Sequence, residues 1–441
     1  MSWSGEDVAK PGQWQGDATP AYHSGVTSPA ISPYASLRLP HFRRYVLAVV
    51  VMTLATMIQG TIVGWQVYEL THDPLALGLI GLAEALPYIG ASLFAGHVAD
   101  RYDRRRVAIA ALVVVFASAV ALLVLPTMLH DSPRALVRAI FSVIVASGLA
   151  RSFLQPARQA LGAELVPREL FSNSVTWRSG AWQLAAVIGP ALGGGLYAVG
   201  GIRLAYSTSA VLVLVAIVAL LMVHRTPSPP SPSSESIGTS LAAGVRFVFG
   251  ERIVLGALSL DLFSVLFGGA TALLPVYAAE ILHVGPQGLG LLRSAPAIGA
   301  VIMSASLAHA KPFQRTGRLL LQSVAFFGVT IIVFGLSTNI FVAVAALAIG
   351  GAADMISVFI RSTLLTTRTP PEMLGRVMSV NGIFVGSSNE IGAFESGVTA
   401  RWFGTVPSVV MGGVMTLVVV VVTAWRNPTL RTLGRIEPPP T

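Results

Sequence analysis

GWQVYELTHDPLALGLIGLAEALPYIGASL, from Gly64 to Leu93, returns as LLPVYAAEILHVGPQGLGLLRSAPAIGAVI from Leu273 to Ile302, about 209 residues further on. The stretches share a VY pair, an LGL and a P-x-I-G-A element, each weak alone. Further matches keep nearly the same spacing. Arg151 and Arg158 in RSFLQPAR reappear as Arg361 and Arg368 in RSTLLTTR, and IGPALGG from Ile188 returns as IGAFESG from Ile391. A parallel repeat of this length implies two halves of like architecture.

Both copies are strongly apolar, and so is the rest. The 441 residues are 54% hydrophobic and 11% charged, with a mean hydropathy of +0.71, which leaves too little polar surface to coat a soluble globule. Apolar stretches of about 20 residues, enough to cross roughly 30 Å of hydrocarbon as helices, recur along the chain. The alternating strands of a barrel do not. An all-α polytopic membrane protein follows, because a helix satisfies its backbone within its own segment. Spans are expected near 44–67, 76–98, 107–128, 137–157, 174–198 and 203–223, then 252–279, 288–308, 318–337, 341–363, 377–400 and 406–425. Six plus six fits the repeat, as two pseudo-symmetric six-helix bundles at 42–223 and 251–426.

Lys and Arg in short loops stay on the cytoplasmic side. Arg43, Arg44, Arg101, Arg104, Arg105, Arg106, Arg168, Arg225, Lys311, Arg315, Arg426 and Arg431 fall on one side of this count, against Arg134, Arg138, Arg203 and Arg401 on the other. Both termini and the linker at 224–250 are therefore expected in the cytoplasm, with the protein in the cell membrane. The formal charge of +9 is mostly this bias, in contact with lipid headgroups, and makes no case for nucleic-acid binding. Residues 1–41 and 427–441 read as cytoplasmic tails, the first disordered and without the form of a secretory signal. TPSPPSPSSES, Thr226 to Ser236, reads as a mobile tether. With no cysteine there is no disulfide, thiolate chemistry or Cys-based metal site, and no metal or cofactor is expected.

GHVADRYDRRRV, Gly96 to Val107, lies between the second and third helices. A Gly, an Asp four residues later, an Arg and a basic run resemble the signature loop of the major facilitator superfamily. By that resemblance Gly96 permits close helix approach, Asp100 engages the facing half, and Arg101, Arg104, Arg105 and Arg106 form a cytoplasmic latch. Asp103 stands where many members carry Gly. In the second half Ala305 and His309 replace Gly96 and Asp100, so an Asp-centred latch belongs to the first half alone. IGPALGGG, Ile188 to Gly195, resembles the antiporter motif of the same superfamily, although Ala185 replaces an upstream glycine. Gly189, Gly193 and Gly194 let helices pack closely and Pro190 bends the fifth helix, which is also how a plain packing kink would read. QPARQALGAELVPREL from Gln155 and WQVYELT from Trp65 resemble the subgroup that contains enterobactin and macrolide exporters. The superfamily resemblance covers about residues 40–425.

Ionisable groups inside the membrane must be paired, neutral or in a wet cavity. Glu84, Asp261, Asp354, Glu390 and Glu395 are candidate proton carriers, since a carboxylate removed from water holds a proton more readily. Structural ion pairing is the alternative for each. Asp261 lies deepest in an apolar span. Glu390 and Glu395 stand about 140° apart around one helix and cannot face one cavity together. Glu84 and Arg293 occupy equivalent repeat positions with opposite charge, and Arg293 reads either as a substrate-anion contact or as the partner of another acid. Arg151 and Arg361 are expected near the cytoplasmic ends of the fourth and tenth helices, pairing with acids such as Asp100, Glu164 or Glu372, with substrate binding as the second reading. Trp65, Gln66 and Gln183 add polar and aromatic surface to the first and fifth helices, for substrate or for packing.

These readings converge on a monomeric secondary transporter working by alternating access between its halves. Proton-coupled export of a small amphipathic molecule, a drug or siderophore-like metabolite, is the expected activity. No GxxxxGK[ST] occurs, so the energy comes from an ion gradient or from the substrate. An importer or facilitator, a lysolipid flippase, and a transport-inactive sensor or scaffold are the alternatives. No nucleophile–base pair or metal cluster suggests an enzyme.

Overall fold

The structure, a computed structural model, describes residues 32–224, 237–310 and 313–435. Residues 1–31, the Thr226–Ser236 tether and the side chain of Asp100 lie outside what is described. The first half runs through α1 Pro40–Thr71, α2 Pro74–Arg101, α3 Arg104–Met128, α4 Pro133–Glu164, α5 at 171–199 and α6 at 202–221. A linker helix, α7 Ile237–Gly250, leads to α8 Arg252–Phe267, which short turns prolong to Ile281. Then come α9 Gly285–Leu307, α10 Thr316–Leu336, α11 Ile340–Arg368, α12 Pro371–Phe403 and α13 Thr405–Arg426.

Among the described residues, ten segments are long and apolar enough to span a membrane, and one of them, 54 residues from Arg168 to Leu221, holds two spans. Its chain breaks at Gly200 and Gly201, where Gly201 takes a φ of +65° that a side chain would resist. That break falls between the fifth and sixth expected spans. The more polar α12 is 33 residues long and completes the twelve. Proline opens α1, α2, α4, α9 and α12, where its missing N–H leaves no bond unmade.

The repeat extends to the turns. The α1–α2 and α8–α9 connections both pivot on a histidine in left-handed conformation, His72 at φ 47° and His283 at φ 51°. Residues 33–38, expected from composition to belong to a disordered tail, instead dock on the start of α5. Trp177 Nε1 donates to Pro33 O at 2.9 Å, and the Ser36 N–H donates to Asn173 Oδ1 at 3.1 Å. Proline and local turn bonds leave these backbone groups free to pair with α5, which composition alone does not indicate.

Two apolar clusters lie wholly within the first six helices and two wholly within the last part of the chain. A fifth is shared. It joins Tyr68 and Leu77 to Leu273, Tyr277, Leu289 and Phe334, all close to one end of the helices. We call this the far end. The opposite end, carrying the start of α1, the α2–α3 loop and α7, is the linker end.

Candidate functional site between the halves

Helices α2 and α12 meet at the far end through glycine. A Cβ added to Gly78 would stand 2.9 Å from Ala393 O and 3.1 Å from Gly397 Cα, so the two backbones touch. Gly96 lies 18 residues below Gly78, five turns on and therefore on the same face, yet none of the described residues approaches within 4 Å of it. On α12, Gly386 and Gly375 follow Gly397 at intervals of eleven, again on nearly one face, and both are equally clear. The pair is thus closed at the far end and splayed toward the linker end. The other cross-half pair is tight near the far end too, where Gly290 of α9 lies against Pro190 O and Gly194 Cα of α5. Arg401 donates to Asp73 Oδ2 at 3.1 Å and Tyr68 Oη donates to Glu280, completing the seal.

Just below the seal, three charges meet. Gly148 brings α4 onto the α2 backbone at Glu84, where an added Cβ would stand 2.7 Å from Glu84 O. Arg151, almost one turn further along α4, therefore reaches the Glu84 carboxylate and forms an ion pair. Glu390 of α12 comes from the opposite half. Its Oε2 lies 2.9 Å from where a Gly81 Cβ would be, and it interacts with the Arg151 charge. Side-chain exposures of 27% for Arg151 and 30% for Glu84 leave this cluster reachable by water.

Asp261 and Arg361 pair within the second half, between α8 and α11, with side-chain exposures of only 8% and 6%. The acids expected for the two arginines are not the ones found. Glu164 pairs with Arg104 instead, because Arg151 sits 13 residues before the end of α4, about 20 Å deeper along the helix. Arg293 of α9 reaches across to α1, where a Cβ on Gly64 would stand 3.3 Å from its Nη2. Among the described residues it has no hydrogen-bond or ion-pair partner. Asp354 on α11 likewise has none, and Glu395 accepts a long 3.5 Å bond from Ser396.

In the signature loop, Arg101 is exposed, Asp103 Oδ1 caps α3 by accepting from Arg106 N at 2.9 Å, and Arg105 binds the Leu220 and Leu221 carbonyls at the end of α6. Gly96, expected to permit close approach, is approached by none of the described residues here, because it lies on the face of Gly78 but at the end where α2 and α12 are splayed apart. Gly189 and Gly193 press on Met57 and Ile58 of α1, so the antiporter-like segment packs one face on its own half and one on α9. Gln66 is buried and accepts from Tyr206 Oη at 2.7 Å, and Trp65 packs edge-on to Tyr197. Gln183 is half-buried on α5. Sequence reasoning misses the far-end contacts of Tyr68, Glu280, Asp73 and Arg401. Their only signal is that three of the four fall inside the repeated stretch.

Residues 31–434 match the family described as transmembrane secretion effector. The chain belongs to that family of the major facilitator superfamily. This superfamily transporter is 30% identical over 349 residues to the enterobactin exporter EntS of Citrobacter koseri, covering 78% of this chain and 81% of the relative. It is 29% identical to the enterobactin exporter EntS of Shigella flexneri, with 78% and 80% covered. Among solved structures, a bacterial homologue of the iron transporter ferroportin in the inward-facing state superimposes with a TM-score of 0.69, at 16% identity over 88% of this chain and 99% of that one. An inward-facing, unoccupied bacterial homologue of the lysosomal transporter Spinster gives 0.67, at 16% identity over 89% and 98%. These two likenesses concern the fold.

Proposed function

We propose that this transporter exports a small amphipathic molecule, siderophore-like in class, from the cytoplasm in exchange for protons, by alternating access of its halves. The observation that carries the reading is the splay of α2 from α12, glycine on glycine at the far end and clear at the linker end. Arginine placement supports taking the linker end, and both termini, as cytoplasmic. The cleft then opens to the cytoplasm, as an exporter awaiting substrate requires. The enterobactin exporters it resembles support direction and substrate class.

Coupling is assigned to Glu84, Arg151 and Glu390. Two carboxylates on one guanidinium carry one excess negative charge when ionised, which a single proton removes. Because Glu390 belongs to the other half, its protonation weakens a tie between halves as well as a local charge. A buried, one-half pair such as Asp261–Arg361 has neither water access nor a partner across the interface, and is assigned to holding α8 on α11.

Inverted membrane vesicles holding the wild-type chain test this directly. Acidifying the lumen should drive uptake of a siderophore-type or dye substrate several-fold above vesicles without a gradient. Uptake indifferent to the gradient would remove proton exchange, and uptake only under the reversed gradient would remove export.

A further inference from the structure

We infer that Arg293 is an anion-binding residue for the transported molecule, so that the substrate is a small organic anion entering from the cytoplasm. This rests on the export reading above. A guanidinium inside a membrane protein is costly unless an anion or a set of acceptors answers it. Arg293 has neither among the described residues, although acids stand on the helices around it. Glu84 and Glu390 serve Arg151, Asp261 pairs with Arg361, Asp73 pairs with Arg401, and Glu280 accepts from Tyr68. The charge is left without a neutralising partner among the described residues.

Its position suits a ligand. Arg293 starts on α9, eight residues from the far-end start of that helix, or about 12 Å below it. It extends over α1 of the opposite half, where Gly60 and Gly64 leave room one turn apart. An added Cβ would stand 3.8 Å from Nη1 at Gly60 and 3.3 Å from Nη2 at Gly64. Gly60 is itself exposed, although it lies deep in α1, so the space beside the guanidinium is accessible. The group therefore sits between the halves, beneath the closed seal, at the blind end of a cleft that opens toward the linker. A molecule entering that cleft meets Arg293 last.

The chemistry of the group narrows the molecule. A planar guanidinium with two free nitrogens suits a carboxylate or another oxyanion presenting two oxygens, and binds it more strongly than a neutral acceptor. One such contact is worth roughly tenfold to a hundredfold in affinity.

The test uses purified full-length protein in detergent and fluorescence polarisation of two dyes, anionic carboxyfluorescein and cationic rhodamine 6G. Wild type should bind carboxyfluorescein the more tightly. Arg293→Gln should weaken it roughly tenfold to a hundredfold while moving rhodamine 6G little, and Arg293→Lys should recover part of the loss. Equal binding of the two dyes by wild type, or an unchanged carboxyfluorescein affinity in Arg293→Gln, would overturn the proposal. So would a melting temperature of Arg293→Gln well below wild type, since that marks a structural tie. Displacement of carboxyfluorescein by sodium benzoate supports a soluble anion; displacement by phosphatidylglycerol alone would give the site to lipid and sink the soluble substrate. Gradient-driven uptake of carboxyfluorescein in inverted vesicles reads the export proposal separately. If uptake persists while the dye contrast fails, only the anion site falls; if the contrast holds and no dye moves, only export falls.

Discussion

Among the described residues, each half of the transporter sets an arginine deep along a helix against a carboxylate, and the two pairs differ in water access and in contact across the interface. Arg151 and Arg361 correspond in the repeated sequence, yet Arg151 lies 13 residues before the end of α4 and Arg361 seven before the end of α11. Arg151 takes its acid from α2 and has a second carboxylate, Glu390, arriving from the other half. Arg361 takes its acid from α8 and is sealed. Where the first half carries Glu84 on its second helix, the second half carries Arg293, which has no ion-pair partner among the described residues. On the proposed reading, a duplicated arginine is used once as a moving contact and once as a fixed one. What separates the two uses is water access and contact across the interface, not residue type.

The largest effect should come from breaking the fixed pair. Asp261→Asn leaves a buried guanidinium without its charge partner, a change worth about 3–5 kcal/mol in comparable sites. Thermal unfolding in detergent should show it as a marked loss, and joint replacement by Asp261→Leu and Arg361→Met should recover most of it. Whatever transport survives in Asp261→Asn should still follow the pH gradient. A variant that folds normally, binds substrate and ignores the gradient would return Asp261 to the proton pathway and dissolve the contrast between the halves.

The moving cluster should respond the other way. Glu390→Gln and Glu84→Gln each remove a proton site from a partly hydrated place, so stability should change by less than about 1 kcal/mol. Gradient-driven transport should fall by at least an order of magnitude, the size expected when one proton-transfer group is lost. Because the two acids share Arg151, the double variant should be scarcely worse than either single one. Fully additive losses would mean that they act apart. Vesicle uptake with and without a gradient separates these outcomes.

Much of this architecture is legible in the amino-acid sequence. Twelve spans, the repeat and the intramembrane acids follow from composition and spacing, and even the α5–α6 break sits between two expected spans at Gly200 and Gly201. Pairing is less accessible. Nothing in the order of residues says that Gly148 presses α4 against the Glu84 carbonyl, and without that contact spacing matches Arg151 to acids nearer the helix end, such as Glu164. Glu390 escapes assignment to the same cluster because its neighbour, Gly81, is 309 positions away in the other half. The glycine face of α12 does carry a signal in the chain. Glycines at 375, 386 and 397 recur every eleven residues, which keeps them on one side of α12 and marks the face that works against α2.

That face yields a test of intermediate size. Gly397→Val places methyl groups where the Gly78 backbone already stands, and overpacking of this kind is worth about 1–3 kcal/mol. If the contact belongs to one state of two, that energy shifts the balance toward a form open at the far end, roughly fivefold or more. The chain has no cysteine, so a single cysteine introduced at Gly81 can be followed with an impermeant maleimide against no background. Labelling from outside the cell should rise in Gly397→Val and stay near wild type in Gly386→Val, whose position is clear on the same helix face. Equal labelling in both would mean that the far-end contact does not gate access.

The smallest effect belongs to the Asp73–Arg401 pair, although it also bridges the halves. Its side chains are 34% and 55% exposed, so water competes for both charges. Such a pair contributes about 0–1 kcal/mol, which allows at most a fivefold change in the balance between open and closed far ends. Arg401→Gln should therefore raise outside labelling only slightly, and the difference should vanish in high salt, where exposed charges are screened. Gly397→Val should keep its effect in salt, because packing of one backbone on another has no charge to screen. If Arg401→Gln opened the far end as widely as Gly397→Val, the seal would be electrostatic rather than steric. The splay of α2 from α12 would then be set by a surface charge pair, and the glycine face of α12 would be incidental to it.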